Sequence, residues 1–343
     1  MTPFRIAILG SGAVTNVLYR PALADVRAEI ELVGVADLNR QSAEQLLNEF
    51  PSAKFFADYH AMLEQLRPDG VIVALPHFLH KTVSIEALQM GIGVFCEKPM
   101  AISSEECDEI EAAVRETGKV FCVNLTRRWF PSVQEIKSLA AGRAFGSLAS
   151  FEASEGGPYG WPAMSFSFFD RKISGGGVLM DSGVHTLDLL QWWLGPVEVS
   201  EFRDDATPNG VECDCIAELS AGFPGENARG SLRMSRSVEL PNVYRLQFDR
   251  GWIEWDHDDA TRFRFSSSGS GEAQNIVAAS VECDPRWATG GRFTFALAQQ
   301  LRAFARACRG QSAEGLVTAS EARKSVDIIT RCYSQRKELV IAE

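Results

Sequence analysis

Short apolar runs alternate with longer amphipathic stretches over the first 125 residues. The apolar runs, which predict strands, are residues 4–9, 30–35, 71–75, 93–96 and 120–123. Helical patterns lie between them, for example at residues 85–90 and 105–116, and the second of these has a predicted cap at Ser103 and a predicted stop at Gly118. Near-continuous apolar strands joined by helices indicate a parallel sheet covered on both faces. Residues 1–125 are therefore predicted to form a doubly wound α/β domain.

The pattern changes after residue 125, where strands cluster without helices between them. A helix is predicted at residues 132–141, and strands follow at residues 148–153, 215–219, 228–234, 244–248, 252–255 and 262–265. One helix at residues 182–194 interrupts the strands, and two more, at residues 293–308 and 319–336, are separated by a stop at Gly310. Residues 126–343 are predicted to form an α+β domain with an open, mainly antiparallel sheet. The stretch SSSGSG at residues 266–271 is predicted to be a solvated connection.

Composition and charge limit the classes of partner that the chain is expected to bind. The 343 residues carry a formal charge of −11 and are 45% hydrophobic, which is typical of a globular protein and unlike a coiled coil or a disordered chain. A negative surface does not favour nucleic acids or anionic membranes. The start has no basic leader region and no run of 18 apolar residues occurs, so a cytoplasmic location is expected.

The eight cysteines are scattered and form no C-x-x-C pair. We interpret them as reduced packing residues, including Cys283 and the close pair Cys213 and Cys215. No group of His, Cys and carboxylate residues has the spacing of a metal site, so no metal is expected.

A glycine turn follows the first predicted strand and leads into a helix. Gly10 and Gly12 permit a tight turn and a close backbone approach to a pyrophosphate, and Ala13 and Val14 begin the helix whose free N–H groups would receive its charge. The third position of this dinucleotide fingerprint is Thr15 instead of Gly or Ala, so helix and strand are expected to pack less tightly there. Alone, this turn is weak evidence for a dinucleotide site.

The second predicted strand supports the dinucleotide site, because it ends in Asp37 at the distance that the fingerprint requires. A carboxylate there accepts hydrogen bonds from the adenosine ribose and repels a 2′-phosphate, which favours NAD over NADP. Arg40 is three residues further on and can bind a 2′-phosphate, so NADP stays open. The alternative is that Asp37 is simply a turn residue.

Three further segments carry a family resemblance. They are Val94-Phe95-Cys96-Glu97-Lys98-Pro99, the glycine-rich run from Gly175 to Asp188 (GGGVLMDSGVHTLD), and Leu75-Pro76-His77-Phe78-Leu79-His80. Together with a last helix that ends near Tyr333, they resemble the Gfo/Idh/MocA oxidoreductase family over essentially the whole chain. The resemblance implies an N-terminal Rossmann domain, a C-terminal α+β domain used in oligomerisation, and hydride transfer between a nicotinamide and a carbinol carbon of a sugar or cyclitol.

The resemblance also implies site residues. Lys98 falls on the lysine of the family's E-K-P motif, and Asp181 and His185 fall on its motif aspartate and histidine, so these three are the predicted catalytic and substrate-binding residues. Leu75, Pro76, His80, Glu97 and Lys98 are expected beside the dinucleotide, together with the residues of the glycine turn. Arg128 and Trp161 are further candidates for substrate contacts, because an arginine suits a hydroxyl or carboxylate and an aromatic face suits the apolar side of a sugar.

The chemistry of alcohol oxidation fits the three catalytic candidates. A hydride leaves carbon and a proton leaves oxygen, so a base must stand beside the hydroxyl, and histidine has a suitable pKa. If the segment is helical, Asp181, His185 and Asp188 project from one face, and a carboxylate there can orient the imidazole. Lys98 can stabilise the negative charge that develops on the oxygen. The alternatives are a capping Asp181, a structural His185 and a solvated Lys98.

The sequence therefore predicts an NAD(P)-dependent oxidoreductase that acts on a secondary alcohol or ketone of a polyol, with the nicotinamide between the domains. Two other functions stay open. One is an NAD-dependent enzyme that cleaves glycosides by transient ring oxidation, and the other is a non-catalytic sensor of dinucleotides. A dimer or tetramer is expected, because a sheet face without its own helices should be buried against another subunit.

Overall fold

The computed structural model describes residues 2–162, 166–208, 210–267, 274–277 and 284–339. In this part of the chain the strands are β1 (Phe4–Leu9), β2 (Ile30–Ala36), β3 (Lys54–Phe56), β4 (Gly70–Val73), β5 (Gly93–Cys96), β6 (Phe121–Val123), β7 (Leu148–Gly156), β8 (Val197–Asp204), β9 (Asp214–Ala221), β10 (Ala228–Ser235), β11 (Val243–Phe248), β12 (Gly251–Asp256), β13 (Arg262–Ser267), β14 (Gln274–Val277), β15 (Val317–Thr318) and β16 (Arg336–Glu338).

The helices lie between these strands and after them. They are α1 (Arg20–Val26), α2 (Glu44–Glu49), α3 (Tyr59–Leu66), α4 (His80–Gln89), α5 (Ser104–Thr117), α6 (Pro131–Ala141), α7 (Arg171–Ser174), α8 (Val184–Leu194), α9 (Arg292–Cys308) and α10 (Ala319–Ser334). Two π-helical turns, Thr15–Tyr19 and Leu179–Gly183, lead directly into α1 and α8.

The strands form two sheets. The first has the order β15-β6-β5-β4-β1-β2-β3 and is parallel except for β15, which pairs antiparallel with β6. The second has the order β14-β13-β12-β11-β7-β10-β9-β8-β16 and is antiparallel except where β10 joins β7 and β16 joins β8. The predicted fold class, a doubly wound parallel sheet plus an α+β part with a mainly antiparallel sheet, is confirmed.

Local sequence signals account for most elements. Ser103 caps α5 by accepting a hydrogen bond from the Glu106 N–H at 3.3 Å, and Gly118 ends the helix with a φ of 62°. Five strands of the described residues were missed by the prediction: β3, β8, β14, β15 and β16. Four of them have only two to four residues, and the charged and polar residues of β8 (VEVSEFRD) hide its alternation of buried and exposed positions.

The chain divides into two compact units, and this division differs from the predicted one. The first unit comprises residues 1–126, 162–167 and 293–323, and the second comprises residues 127–161, 168–292 and 324–343. The predicted boundary after residue 125 lies one residue from the first division. However, α9 and β15 were assigned to the second domain by the prediction and belong to the first unit.

The packing of α9 explains this correction. The Phe304 ring lies 5.8 Å from the Phe4 ring and 5.6 Å from the Phe95 ring, both on strands of the first sheet. A Cβ at Gly70 would lie 2.7 Å from Phe304, and one at Gly93 would lie 2.5 Å from the Cys308 sulfur. The helix thus packs directly on two glycine positions of this sheet, which places it in the first unit.

Aromatic rings form the core of the second unit. Trp193 of α8 lies 5.7 Å from Trp255 and 6.0 Å from Tyr244, and all three side chains are buried. The Trp193 indole N–H also donates to the Val133 carbonyl of α6 at 3.0 Å. These contacts fix α8, which follows the glycine-rich motif, against the second sheet.

The described cysteines are free thiols, and most are buried among apolar residues. Cys283 and residues 268–271 of the predicted solvated connection lie outside the described residues. No helix in the described ranges is both long enough and apolar enough to cross a lipid bilayer.

Candidate active site

The glycine turn is built by a close backbone contact. Gly10 has a φ of 94°, and a Cβ there would lie 2.2 Å from the Ala74 carbonyl oxygen that follows β4. Its N–H donates to the Ala36 carbonyl at the end of β2 at 2.8 Å. Glycine is required here both for the positive φ and for the space. The carboxyl ends of β1, β2 and β4 therefore meet at this turn.

Gly12, in contrast to Gly10, has open space where a side chain would lie. No atom of the described residues lies within 4 Å of a Cβ built on it, so this backbone faces an open approach. Ala13 and Val14 then begin the helical turn. An open backbone at the start of a helix suits the pyrophosphate of a dinucleotide, whose charge the free N–H groups stabilise. The residues present at this turn thus fit the cofactor predicted from the sequence.

Thr15, which departs from the fingerprint, is fully buried. Its hydroxyl donates to the Gly10 carbonyl at 2.7 Å, and the chain takes a π turn from Thr15 to Tyr19. The side chain of Asn16 closes the same turn, donating to the Ser11 carbonyl at 2.7 Å. The expected looser packing is therefore replaced by a side-chain hydrogen bond inside a widened helical turn.

Asp37 binds the glycine turn itself. One of its carboxylate oxygens accepts from the Ser11 N–H at 2.7 Å and the Ser11 hydroxyl at 2.8 Å, and the other accepts from the Asn39 N–H at 2.8 Å. Carboxylate oxygens accept more than one hydrogen bond each, so these contacts leave room for a ribose hydroxyl. Arg40 lies with its guanidinium 5.0 Å from the Phe55 ring centre.

A buried hydrogen-bond network holds the segment that carries Lys98. The Glu97 carboxylate accepts from the Tyr19 hydroxyl at 2.6 Å, from the Asn124 amide at 2.7 Å and from the Lys98 N–H at 3.2 Å. Gln300 of α9 donates to Asn124 at 3.1 Å, which extends the network. Burial and the Glu97 charge raise the pKa of Tyr19, so this hydroxyl stays protonated and donating. Lys98, which is half-buried, thus leaves the sheet from a rigid base.

His80 links the two loops that flank this site. Its ring nitrogens lie 2.8 Å from the Pro99 carbonyl and 2.8 Å from the Leu75 carbonyl, and the side chain is fully buried. Burial lowers the pKa of His80, which favours the neutral ring. The histidine therefore fixes the loop of Leu75 and Pro76 against the end of the E-K-P segment. Direct contact of Leu75, Pro76 and His80 with a dinucleotide stays a prediction.

The glycines of the second motif make room for two groups from distant parts of the sequence, the Glu212 backbone and the Tyr333 side chain. A Cβ at Gly177 would lie 1.9 Å from the Glu212 carbonyl oxygen, and one at Gly176 would lie 2.0 Å from the Tyr333 hydroxyl. The buried Glu212 carboxylate accepts from the Gly177 N–H at 2.9 Å, the Leu179 N–H at 3.0 Å and the Tyr333 hydroxyl at 2.8 Å. Burial raises the pKa of Glu212. Glu212 thus satisfies the N–H groups at the start of the motif helix.

Asp181 lies inside the π turn from Leu179 to Gly183 and not at a helix cap. Its N–H already donates to the Gly177 carbonyl at 3.0 Å, as a helical residue does. Its carboxylate accepts from Arg236 at 3.0 Å, and both side chains are largely buried. The capping alternative for Asp181 is therefore wrong, because Glu212 takes that role.

His185 is half-buried on the first turn of α8, beside a strongly bonded neighbour. The Thr186 hydroxyl donates to the Glu155 carboxylate of β7 at 2.7 Å, and Glu155 forms a buried ion pair with Arg127 at 2.6 Å. Burial alone would raise the pKa of Glu155, but the Arg127 charge lowers it to about 2. This ionised network fixes the rotation of α8 and with it the direction of His185.

The two substrate candidates have different surroundings. Arg128 is buried and donates to both carboxylate oxygens of Asp188, at 2.8 Å and 2.7 Å, and its guanidinium lies 5.1 Å from the Trp192 ring centre. Trp161 is 37% exposed. The structure thus gives Arg128 an ion pair across to α8 and gives Trp161 an accessible face, while their contacts with substrate stay predictions.

Several residues with direct contacts to the motifs were missed in the sequence. Tyr19 and Asn124 bind Glu97, Glu212 binds the motif backbone, and Arg236 binds Asp181. Tyr19 could have been found from its place on the helix of the glycine turn. Glu212 and Arg236 lie in segments without a motif, and no local signal points to them.

Two models of one protein family match the chain. One, described as the Gfo/Idh/MocA oxidoreductase family with an NAD-binding Rossmann fold, matches residues 4–125, and the C-terminal domain model of the same family matches residues 133–254. Both motifs that carry the predicted catalytic residues lie inside these matches.

Individual proteins with established names are also similar. The chain is 30% identical over 194 residues to a D-glucoside 3-dehydrogenase of Escherichia coli (57% of this chain and 55% of that protein). It thus spans about half the length of this curated relative. Many solved structures match in fold, among them the following two. One is KijD10, a 3-ketoreductase from Actinomadura kijaniata with NADP and TDP-benzene (TM-score 0.81, 20% identity, covering 99% of this chain and 100% of that chain). Another is a levoglucosan dehydrogenase with NADH and levoglucosan (TM-score 0.82, 17% identity, covering 97% and 98%).

Proposed function

Because the chain belongs to the Gfo/Idh/MocA oxidoreductase family, we propose that it transfers a hydride between a nicotinamide dinucleotide and a secondary alcohol or ketone carbon of a sugar-like substrate. The observation that carries this proposal is the joint presence of the open glycine turn and the supported Lys98 and His185. A protein that only senses dinucleotides needs the turn but has no use for the two catalytic groups.

Each part of the chain has a separate task in this reaction. The nicotinamide supplies or accepts the hydride when it is bound. Gly12, Ala13 and Val14 bind the pyrophosphate, and Asp37 binds the adenosine ribose. These residues hold the dinucleotide but take no part in proton transfer.

Proton transfer falls to the second motif. His185 takes the hydroxyl proton when the alcohol is oxidised and returns it when the ketone is reduced. Asp181 supports the positive charge on the imidazole, and its own charge is held by Arg236 at 3.0 Å. Lys98 donates a hydrogen bond to the reacting oxygen and stabilises its developing negative charge. The Glu97 network keeps the backbone of Lys98 in place, which limits the reorganisation that the reaction requires.

The substrate class is a neutral sugar or a cyclitol such as inositol. The names of the relatives support a sugar, because they include a glucoside dehydrogenase and a levoglucosan dehydrogenase. Asp37 favours NAD, since its carboxylate repels a 2′-phosphate. Arg40, whose guanidinium lies 5.0 Å from the Phe55 ring centre, is the residue that can bind a 2′-phosphate, so NAD and NADP are both tested.

The test is a substrate panel with absorbance of the reduced nicotinamide as readout. D-glucose, methyl α-D-glucopyranoside, levoglucosan and myo-inositol are each assayed with NAD and with NADP. We expect oxidation of at least one of them with reduction of NAD to NADH. In Lys98→Ala and His185→Ala we expect a loss of kcat of roughly 10²-fold or more, with NADH affinity retained. Near-normal turnover in both variants would reject the assigned roles. Binding of NADH without turnover on any panel member would reject the oxidoreductase function.

A further inference from the structure

Arg236 is a buried arginine beside the motif aspartate, and its backbone is held on both sides. It follows β10 directly and is 7% exposed. Its N–H donates to the Cys213 carbonyl at 2.8 Å, and its carbonyl accepts from the Tyr159 N–H at 3.0 Å. The direction in which its side chain leaves the backbone is therefore fixed.

Two groups contact the guanidinium. Nη2 donates to Asp181 at 3.0 Å, and the guanidinium carbon lies 5.1 Å from the centre of the Tyr159 ring. A cation over an aromatic face is attractive, so Tyr159 and Asp181 together orient Arg236. Burial and the Asp181 charge raise the pKa of Tyr159, which keeps its hydroxyl protonated.

Three polar atoms of this cluster are unused by the part of the chain that the structure describes. Nε and Nη1 of Arg236 and the hydroxyl of Tyr159 are buried and have no hydrogen-bond partner among those residues. Burying donors without partners is costly, and native proteins rarely do so unless a ligand or water completes the site.

Arg127, in the same unit, shows what an arginine with a purely structural role does. It donates from Nε to Asp258 at 3.0 Å and from Nη1 and Nη2 to Glu155 at 2.6 Å and 3.0 Å. All three of its nitrogens are used. Arg236 needs only Nη2 to hold Asp181, so an anchoring role leaves its other two nitrogens unexplained.

The charge of the cluster indicates which group completes it. Asp181 already neutralises Arg236, so an added carboxylate or phosphate would bring excess negative charge close to Asp181. A neutral hydroxyl accepts from Nε or Nη1 without that penalty, and the Tyr159 hydroxyl can both donate to it and accept from it. The Tyr159 ring lies over the guanidinium and is itself only half-buried, so it forms the more exposed side of this cluster.

We propose that Arg236 and Tyr159 form a subsite that binds a hydroxyl group of the substrate other than the one oxidised. This inference rests on the proposed function and extends it, because it makes the enzyme selective for substrates that carry a second hydroxyl group. The subsite acts on substrate binding, while Lys98 and His185 act on the reacting oxygen.

The experiment compares variants with substrates that lack one hydroxyl. Arg236→Gln and Tyr159→Phe are assayed with the most active sugar of the panel and with each of its mono-deoxy forms, at saturating dinucleotide. Arg233→Gln, an equal change at an exposed position of β10, is the matched control. NADH affinity, measured by fluorescence, reports separately on the dinucleotide domain.

The expected result is specific to one hydroxyl. Arg236→Gln lowers kcat/KM for the parent sugar by roughly tenfold or more, mainly through KM, since a hydrogen bond from a charged donor is lost. For one mono-deoxy sugar, which cannot make that bond, the same variant changes kcat/KM much less. Tyr159→Phe, which keeps the Arg236–Asp181 pair, follows the same pattern with a smaller loss, and Arg233→Gln changes neither substrate.

Other outcomes reject the inference. Equal losses with all the deoxy sugars, or losses in kcat alone, would mean that Arg236 only positions Asp181. A wild-type enzyme that uses the parent and every deoxy form equally well would mean that no such subsite exists. In both cases the proposed function stands, because wild-type turnover is intact. Absence of turnover on the whole panel would instead reject the proposed function, and this inference with it.

Discussion

Replacing each glycine of the turn by alanine separates folding from dinucleotide binding. Gly12 has no positive φ, and no described atom lies within 4 Å of its added Cβ. Gly10 has a φ of 94°, and its Cβ would lie 2.2 Å from a backbone oxygen, which cannot move as a flexible side chain can. Both substitutions therefore add one methyl group, but Gly12 has space for it and Gly10 has not.

The magnitudes follow from these surroundings. Gly12→Ala lowers the entropy of the unfolded chain, so it should leave the free energy of unfolding unchanged or raise it by up to about 1 kcal/mol. Gly10→Ala forces alanine into a left-handed conformation, at about 1–3 kcal/mol, and adds the clash with Ala74. For binding, a methyl group on Gly12 pushes the pyrophosphate away from the helix N–H groups. The loss of one charge-assisted hydrogen bond, about 1.5–3 kcal/mol, corresponds to a roughly ten- to hundredfold weaker NADH affinity.

The assay combines urea unfolding with NADH titration by fluorescence on the wild type and both variants. Gly12→Ala should unfold at the wild-type urea midpoint or above and bind NADH weakly, whereas Gly10→Ala should unfold at a clearly lower midpoint. The reasoning is refuted if Gly12→Ala keeps wild-type affinity, or if both variants are destabilised equally. Gly160→Ala is a suitable control, because its added Cβ has an ordinary contact of 3.8 Å.

Two further predictions concern the cores of the two units. Glu155→Gln leaves Arg127 with only part of its countercharge, so we expect a loss of about 3 kcal/mol at pH 7, measured by urea unfolding. Arg127 lowers the pKa of Glu155 from 4.5 to about 2, so the stabilisation by this ion pair is full above pH 4.5 and disappears as the pH falls toward 2. The free energies of unfolding of wild type and variant should therefore converge in acid. A difference that stays constant with pH would contradict this. Phe304→Ala removes the ring between α9 and the first sheet, so we expect the free energy of unfolding to fall by about 3–5 kcal/mol in the same assay. A loss below about 1 kcal/mol would mean that α9 does not depend on this contact.

The features predicted well from the sequence are those that local chemistry decides. The glycine turn, the cap at Ser103 and five strands of the first sheet (β1, β2, β4, β5 and β6) depend on residues close together in the chain, and the structure has them where the pattern placed them. The helix of residues 293–308 was also predicted, but its place was not. Periodicity shows that a helix has an apolar face, whereas the partner of that face, here the strands of Phe4 and Phe95, is decided by the packing of distant residues.

The same limit applies to the candidate site. The motif lysine, aspartate and histidine stand in recognisable patterns, but the groups that hold them do not. Glu212 reaches back 35 positions to Gly177, and Arg236 reaches back 55 positions to Asp181. A lone glutamate or arginine in a polar segment resembles any surface residue until the fold brings it to its partner. Only the Glu212 contact had an indirect signal, because the repeated glycines at 176 and 177 indicate that something approaches the backbone closely.

The expectation that Asp181, His185 and Asp188 share one helix face rested on regular α-helical spacing, and a π turn interrupts that spacing. Asp181 lies in the π turn Leu179–Gly183, whereas His185 and Asp188 lie on the α-helix that follows. The two carboxylates accept from different arginines: Asp181 from Arg236 after β10, and Asp188 from Arg128 before α6. A second π turn, Thr15–Tyr19, follows the glycine turn, and the Tyr19 hydroxyl at its end donates to Glu97, the residue before Lys98. Spacing rules based on a regular α-helix capture neither turn, so the spacing in the sequence could not place Asp181 or Tyr19 relative to the residues that follow them.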